Sequence, residues 1–235
     1  MTVVSLSAEA GVTLSVRETR MIVERILLTT GLPDGFVPAV GNCILYSQAR
    51  RLGGLAAFAA SIETIAAARL ADVVLVEVQG ACILEAGGNH AWLVANDALD
   101  LAVAEHRSSG RGEVEVRNAR STGELRVIEG LAERHRARAE VEPTSTGAIV
   151  RIVADALPGE DAVMTAALRD GFPVSRALWR SLYKRSCEAL TPDSIESRRH
   201  AGPVMVDAHG RVHGRDDDDT DFDLLLGRQA GQPRA

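Results

Sequence analysis

From Ser15 to about Leu70 the apolar residues recur at helical spacing, and after Asp72 short β-branched and alternating runs take over, so the chain is predicted to open with helices and pass into strands. Ser15 followed by Glu18 has capping-box spacing, and Met21, Ile22, Ile26 and Leu27 continue it, placing a first helix at about 16–30 with Gly31 as its stop. Val37, Val40, Ile44 and Leu45 predict a second helix that runs toward Arg51 and breaks at Gly53-Gly54. The alanine-rich stretch Leu55–Leu70, with little charge, predicts a third and largely buried one. Val73–Gln79 and Ala81–Leu84, separated by Gly80, read as strands.

Gly87-Gly-Asn-His90 reads as a turn. Asn96 has the chemistry of a cap for a helix through Leu99, Val103 and His106 to Gly110. Glu113-Val-Glu-Val-Arg-Asn-Ala-Arg-Ser-Thr-Gly123 is an alternating strand that runs into a polar loop. Ser121 and Glu124 repeat the capping-box spacing, so the loop is expected to lead straight into a helix to about Arg136. Strand, helix, strand, loop and helix make a βαβα unit. Order weakens from Val141 to Gly147, Ala148–Val153 resumes as a strand, a helix spans Asp161–Asp170, and Ser175 caps another to about Leu190. One further short apolar piece follows at Pro203–Val206.

The expected fold class is α/β: an N-terminal helical layer over residues 1–70, an α/β domain with a mixed sheet over 71–206, and a mobile acidic tail over 207–235. With 235 residues, 46% of them apolar, the chain is long enough to bury a substantial core. Aromatics make up only 3%, which leaves few platforms for stacked bases. The formal charge is −6, and the block of Asp216, Asp217, Asp218, Asp219, Asp221 and Asp223 accounts for all of it. A neutral body with an acidic tail lacks the basic stripe that nucleic acids and anionic membranes require. The acidic block has neither the alternation nor the closing glutamate of a calcium loop, so no metal is expected. Cys43, Cys82 and Cys187 are odd in number and far apart, and read as small buried apolar residues rather than as a disulfide framework. The N-terminus shows no export signal and the chain no long apolar run, so the expected location is the cytoplasm.

Candidate chemistry is sparse. Gly110-Arg-Gly112 precedes a strand rather than following one, the wrong order for a dinucleotide cradle, and no P-loop, G-x-S-x-G or H-E-x-x-H motif occurs. The loop at Arg117–Gly123 offers donors from Arg117, Asn118, Arg120, Ser121 and Thr122 where a strand ends and a helix begins, a position suited to a carboxylate or phosphate. The same residues can also simply turn the chain and cap the helix. His90, and His200 in the cluster Ser197-Arg198-Arg-His-Ala-Gly202, are the candidate bases; that cluster can equally be a polar surface turn.

The order Thr30-Gly-Leu-Pro33, Leu84-Glu-Ala-Gly-Gly-Asn89, Asp100–His106, Val114–Asn118 and Ser121-Thr-Gly123 resembles the N-terminal half of the type 2 malate/L-lactate dehydrogenases, over roughly residues 14–147. That resemblance implies a truncated version of their non-Rossmann fold, a homodimer, and NAD(P)-dependent chemistry on 2-oxo and 2-hydroxy acids. The chain departs from the family's pattern in two places. It has no histidine before His90, where the family carries Ser-His-Gly, and Ser121 stands where the family's Asn-Ser-x-His-x-Gly loop has its histidine. Across the whole length, Gly31-Leu-Pro-Asp-Gly35, Arg51-Leu-Gly-Gly-Leu55, Gly171-Phe-Pro-Val174 and Thr191–Arg198 before Ala201-Gly202 look like an uncharacterised bacterial domain family. That likeness implies no activity, but it marks Ser197 and Arg198 as a second candidate site.

Two functions follow as expectations. The first is a catalytically altered relative of those dehydrogenases, with no cofactor expected beyond the nicotinamide that the resemblance suggests, which binds a small anionic molecule or serves as a non-catalytic subunit. The second is an active enzyme whose relocated base, His200 or His90, meets Asn118, Ser121 and Arg198 in one pocket.

Overall fold

A computed structural model describes residues 11–155, 159, 161–190, 204–206, 209 and 212–214. The chain divides into two compact units, Met1–Leu190 and Thr191–Ala235. In the second unit β8 (Val204–Val206) and β9 (Val212–Gly214) form an antiparallel hairpin. The acidic block that begins at Asp216 lies outside the described residues.

The first unit opens with β1 (Gly11–Leu14), followed by α1 (Val16–Leu28), α2 (Phe36–Ala49) and α3 (Gly54–Ala66). The capping box is made as its spacing predicts. The Ser15 hydroxyl accepts from the Glu18 amide at 3.1 Å, and the Glu18 carboxylate accepts from the Ser15 amide at 3.0 Å. Ile22, Val23, Ile26 and Leu27 of α1 are buried together with Val40, Ile44 and Leu45 of α2 and Phe58 of α3. These residues are one flank of a continuous core.

The other flank is a five-stranded sheet in the order β2-β3-β4-β6-β5, formed by β2 (Val74–Val78), β3 (Ala81–Glu85), β4 (Gly112–Arg117), β6 (Ala148–Ala154) and β5 (Arg138–Pro143). Only β3 and β4 run parallel, joined by the crossover helix α4 (Ala91–Ser109); the other neighbours are antiparallel. Alternation along β4 sorts its two faces. Val114 and Val116 are buried against α4, while Glu113 pairs across the outer face with Arg151 at 2.7 Å and Glu115 pairs with Arg117. The mixed α/β class expected from the sequence is the class observed.

Several elements differ from the expectation. α4 begins at Ala91 rather than after Asn96, because His90 caps it; the Asn96 amide instead donates to the Ala39 carbonyl at 3.4 Å. Of the stretch Val141–Gly147 expected to lose order, residues 141–143 belong to strand β5, which pairs with β6, and only 144–147 form an irregular turn. β1 pairs antiparallel with β7 (Phe172–Ser175), leading from α6 (Ala162–Asp170) into α7 (Arg176–Ser186), which Ser175 caps as predicted. Cys43 is buried, and burial pushes its thiol up to about 12, but Cys82 is half-buried and Cys187 exposed. Among the described residues no helix is long and apolar enough to cross a membrane.

Gly110 ends α4 in the left-handed region, φ 76°, with open space where a β-carbon would stand. A Gly110→Ala variant is therefore expected to lose about 1 kcal/mol from backbone strain alone. Urea midpoints that match the parent would show that the turn relaxes instead.

Candidate functional site

β3 and β4 lie side by side and parallel, so the loops leaving their C-terminal ends meet. Backbone bonds lace the two loops together: Ala86 N–H to the Arg117 carbonyl at 2.8 Å, Gly88 to Asn118 at 2.7 Å, Arg120 to Asn89 at 2.9 Å and Ala91 to Arg120 at 2.9 Å. The parallel bridge between His90 and Arg120 belongs to this lacing. Of the residues singled out from sequence, His90, Asn118, Arg120 and Ser121 are thus held in one region. Ser197, Arg198 and His200 lie outside the described residues.

Asn118, Arg120 and Ser121 are exposed, and the Asn118 amide donates to Glu85 at 2.7 Å. Ser121 is not the predicted side-chain cap. Its backbone is left-handed, φ 56° and ψ 46°, whereas a capping hydroxyl needs extended backbone to reach the amides ahead of it, and no cap bond is made. A 3₁₀ turn, Thr122–Val127, precedes a short α5 (Ile128–Arg134) in place of the single predicted helix.

The partner expected to complete that capping box, Glu124, turns inward. Its buried carboxylate accepts from the Ser47 hydroxyl at 2.6 Å and from the Trp92 indole at 3.1 Å. Ser47 in turn accepts from the amides of Gly54 at 2.8 Å and Gly53 at 3.3 Å, while Gln48 accepts from Leu55 at 2.9 Å. A β-carbon on Gly53 would lie 2.3 Å from the Glu124 carboxylate, so glycine is required for this contact. Nothing in the linear sequence announces Ser47 and Glu124 as a pair, since they are 77 residues apart and meet only through the fold.

His90 has become part of the frame. Its ring is fully buried against Trp92, with centroids 4.5 Å apart, and Nδ1 accepts from the Trp92 amide at 3.2 Å. That bond assigns the proton of the neutral ring to Nε2, which is buried with no partner among the described residues. Burial lowers the imidazole's affinity for a second proton, to a pKa of about 4.

Beside the Ser47 network a cleft of about 790 Å³ opens between the α2–α3 turn and the segment from α6 to α7. The turn contributes Ser47, Gln48, Arg51, Gly53 and Gly54 to one wall. Arg51 has an unusual backbone. Its amide bonds to the Gln48 carbonyl at 3.2 Å and the Leu52 amide to the Ser47 carbonyl at 2.9 Å, the Schellman pattern, with arginine at φ 57° in the position that usually holds glycine. Its exposed guanidinium has no ion pair or hydrogen bond among the described residues. Asp170, also in the lining, accepts from Nε and Nη2 of Arg169, each at 2.8 Å, and this keeps its carboxyl below the usual carboxylate range. Arg51 therefore brings the cleft's one unpaired charge among the described residues.

The layout is that of an α/β protein in which a helical layer backs a mixed sheet. No protein-family model and no curated protein matches the chain, so the whole-chain family likeness rests on its sequence motifs alone. Solved structures similar to it are dehydrogenases of small carboxylates, at low identity. Malate dehydrogenase from Entamoeba histolytica is 11% identical with a TM-score of 0.46, over 77% of this chain and 68% of that one. Malate dehydrogenase from Pyrococcus horikoshii OT3 gives the same identity, TM-score and coverage of this chain, with 66% of its own length matched. Sulfolactate dehydrogenase from Methanocaldococcus jannaschii is 15% identical with a TM-score of 0.43, over 95% of this chain and 86% of that one. The chain thus spans about two thirds of the length of either malate dehydrogenase.

Proposed function

We propose that this chain is a catalytically silent relative of the malate/lactate dehydrogenases that binds a small organic acid in the cleft beside Arg51. The observation that carries this reading is the unpaired guanidinium, held at the lining by a left-handed backbone that costs an arginine about 1–2 kcal/mol. A planar, permanently charged fork matches a carboxylate in two hydrogen bonds. The amide nitrogen of Gln48, whose oxygen is engaged by Leu55, supplies a further donor.

The lining does not fit a nicotinamide-dependent reduction. Delivering hydride to a carbonyl needs a proton donor beside the oxygen. Among the described lining residues there is no histidine, lysine or tyrosine, and Arg169 favours the ionised form of Asp170. His90, in this reading, serves the frame rather than a reaction. The exposed donors of Asn118, Arg120 and Ser121 form a secondary surface for the same class of ligand, and a second copy or a larger enzyme is the proposed macromolecular partner.

Titration calorimetry with lactate, 2-oxobutyrate and butyrate tests the reading against an Arg51→Gly variant. Glycine suits φ 57°, so the variant should be no less stable than the parent. Loss of the charged hydrogen bonds should weaken acid binding roughly 10- to 100-fold. Equal affinity in both proteins would sink the proposal, as would turnover of a 2-hydroxy acid with NAD(P) at ordinary enzyme rates.

A further inference from the structure

Building on that reading of the cleft, we infer that its ligand is a monocarboxylic acid with an extended apolar body, rather than a short hydroxy acid or a dicarboxylate. The two walls differ in chemistry. Opposite the polar α2–α3 turn stand Val163, Ala166 and Ala167 of α6, Phe172 and Val174 of β7, and Leu178 of α7. A molecule filling this space presents a polar head to one wall and an apolar flank to the other.

The charge count sets the number of carboxylates. Arg51 is the one unpaired cation of the lining among the described residues, and Asp170 is already bound to Arg169. A second carboxylate on the ligand would find no free cation and would approach Asp170, so one acid group is accommodated and two are not. Size points the same way. The cleft, about 790 Å³ and open to solvent along one side, is far larger than a three-carbon hydroxy acid, which would leave the α6–α7 wall wet. Burying that wall against a hydrocarbon chain is worth about 0.8 kcal/mol per methylene, which is three- to fourfold in affinity.

The experiment is titration calorimetry on the full chain with butyrate, hexanoate, octanoate, hexanedioate, lactate and hexan-1-ol. Affinity is expected to rise three- to fourfold per methylene from butyrate to octanoate, with hexanedioate and lactate at least tenfold weaker than hexanoate. An Ala166→Leu variant, which narrows the apolar wall with a good helix former, should lose the octanoate gain by at least tenfold and hold butyrate within twofold. Arg51→Gly should weaken every acid by a similar factor. A flat chain-length series that still depends on Arg51 overturns the extended body and leaves acid binding intact. Hexan-1-ol binding as tightly as hexanoate, or acids indifferent to Arg51→Gly, overturns acid recognition itself. If Ala166→Leu weakens all acids equally, the apolar wall is not where the chain lies and the inference fails.

Discussion

Unfolding titrations of a Glu124→Ala variant are expected to show a loss of about 3 kcal/mol. The carboxylate accepts from two buried donors, the Ser47 hydroxyl and the Trp92 indole, and alanine would leave both without this acceptor. The damage should spread because Ser47 also receives the amides at the start of α3, so the turn that carries Arg51 would loosen with it. Glu124→Gln retains an acceptor oxygen and should recover about half of the loss. A drop below about 1 kcal/mol for the alanine variant would show that the Ser47 network is not what ties α2 to α4 and to the turn before α5.

Acid should destabilise the parent protein through His90. Burial holds the folded ring neutral down to a pKa of about 4, whereas an unfolded histidine takes up its proton near 6.5. Between these values the unfolded chain binds more protons than the folded one, so stability is complete above about pH 6.5 and falls as the pH drops toward 4. The gap corresponds to on the order of 3 kcal/mol. In His90→Asn the side-chain oxygen can accept from the Trp92 amide in place of Nδ1 and carries no titrating group. Comparing urea unfolding at pH 7.5 and 4.5, where most of that gap has been crossed, the variant should lose about 2.5 kcal/mol less than the parent. Identical losses in the two proteins would remove His90 as the source.

How far the sequence alone reveals this fold is governed by how local the determining contacts are. The Ser15–Glu18 box and the Ser175 cap involve residues three apart, and both form as their spacing predicts. Glu124 has the same spacing from Ser121 but meets a different end, because the lacing of the two loops sets Ser121 in left-handed backbone and the tertiary partners Ser47 and Trp92 take the carboxylate. β1 and β7 are short segments from opposite ends of the unit, and each becomes a strand only through the other. β5 alternates as a strand should, yet its polar outer face and terminal Pro143 resemble a loop until β6 is in place beside it. The cleft is assembled from residues more than 100 positions apart, and the sequence marks Arg51 only as part of the Arg51-Leu-Gly-Gly-Leu55 motif and as a neighbour of a helix break, neither of which announces a ligand.

The lacing of the loops after β3 and β4 is made by amides and carbonyls, with no bond that depends on the side chains of Arg120 or Ser121. Their identities can drift without unfolding the region, provided position 121 tolerates φ near 56°. A scaffold of this kind separates the persistence of a fold from the side chains at its loop tip: residues there can be exchanged one at a time while the backbone bonds that hold the two loops together stay in place.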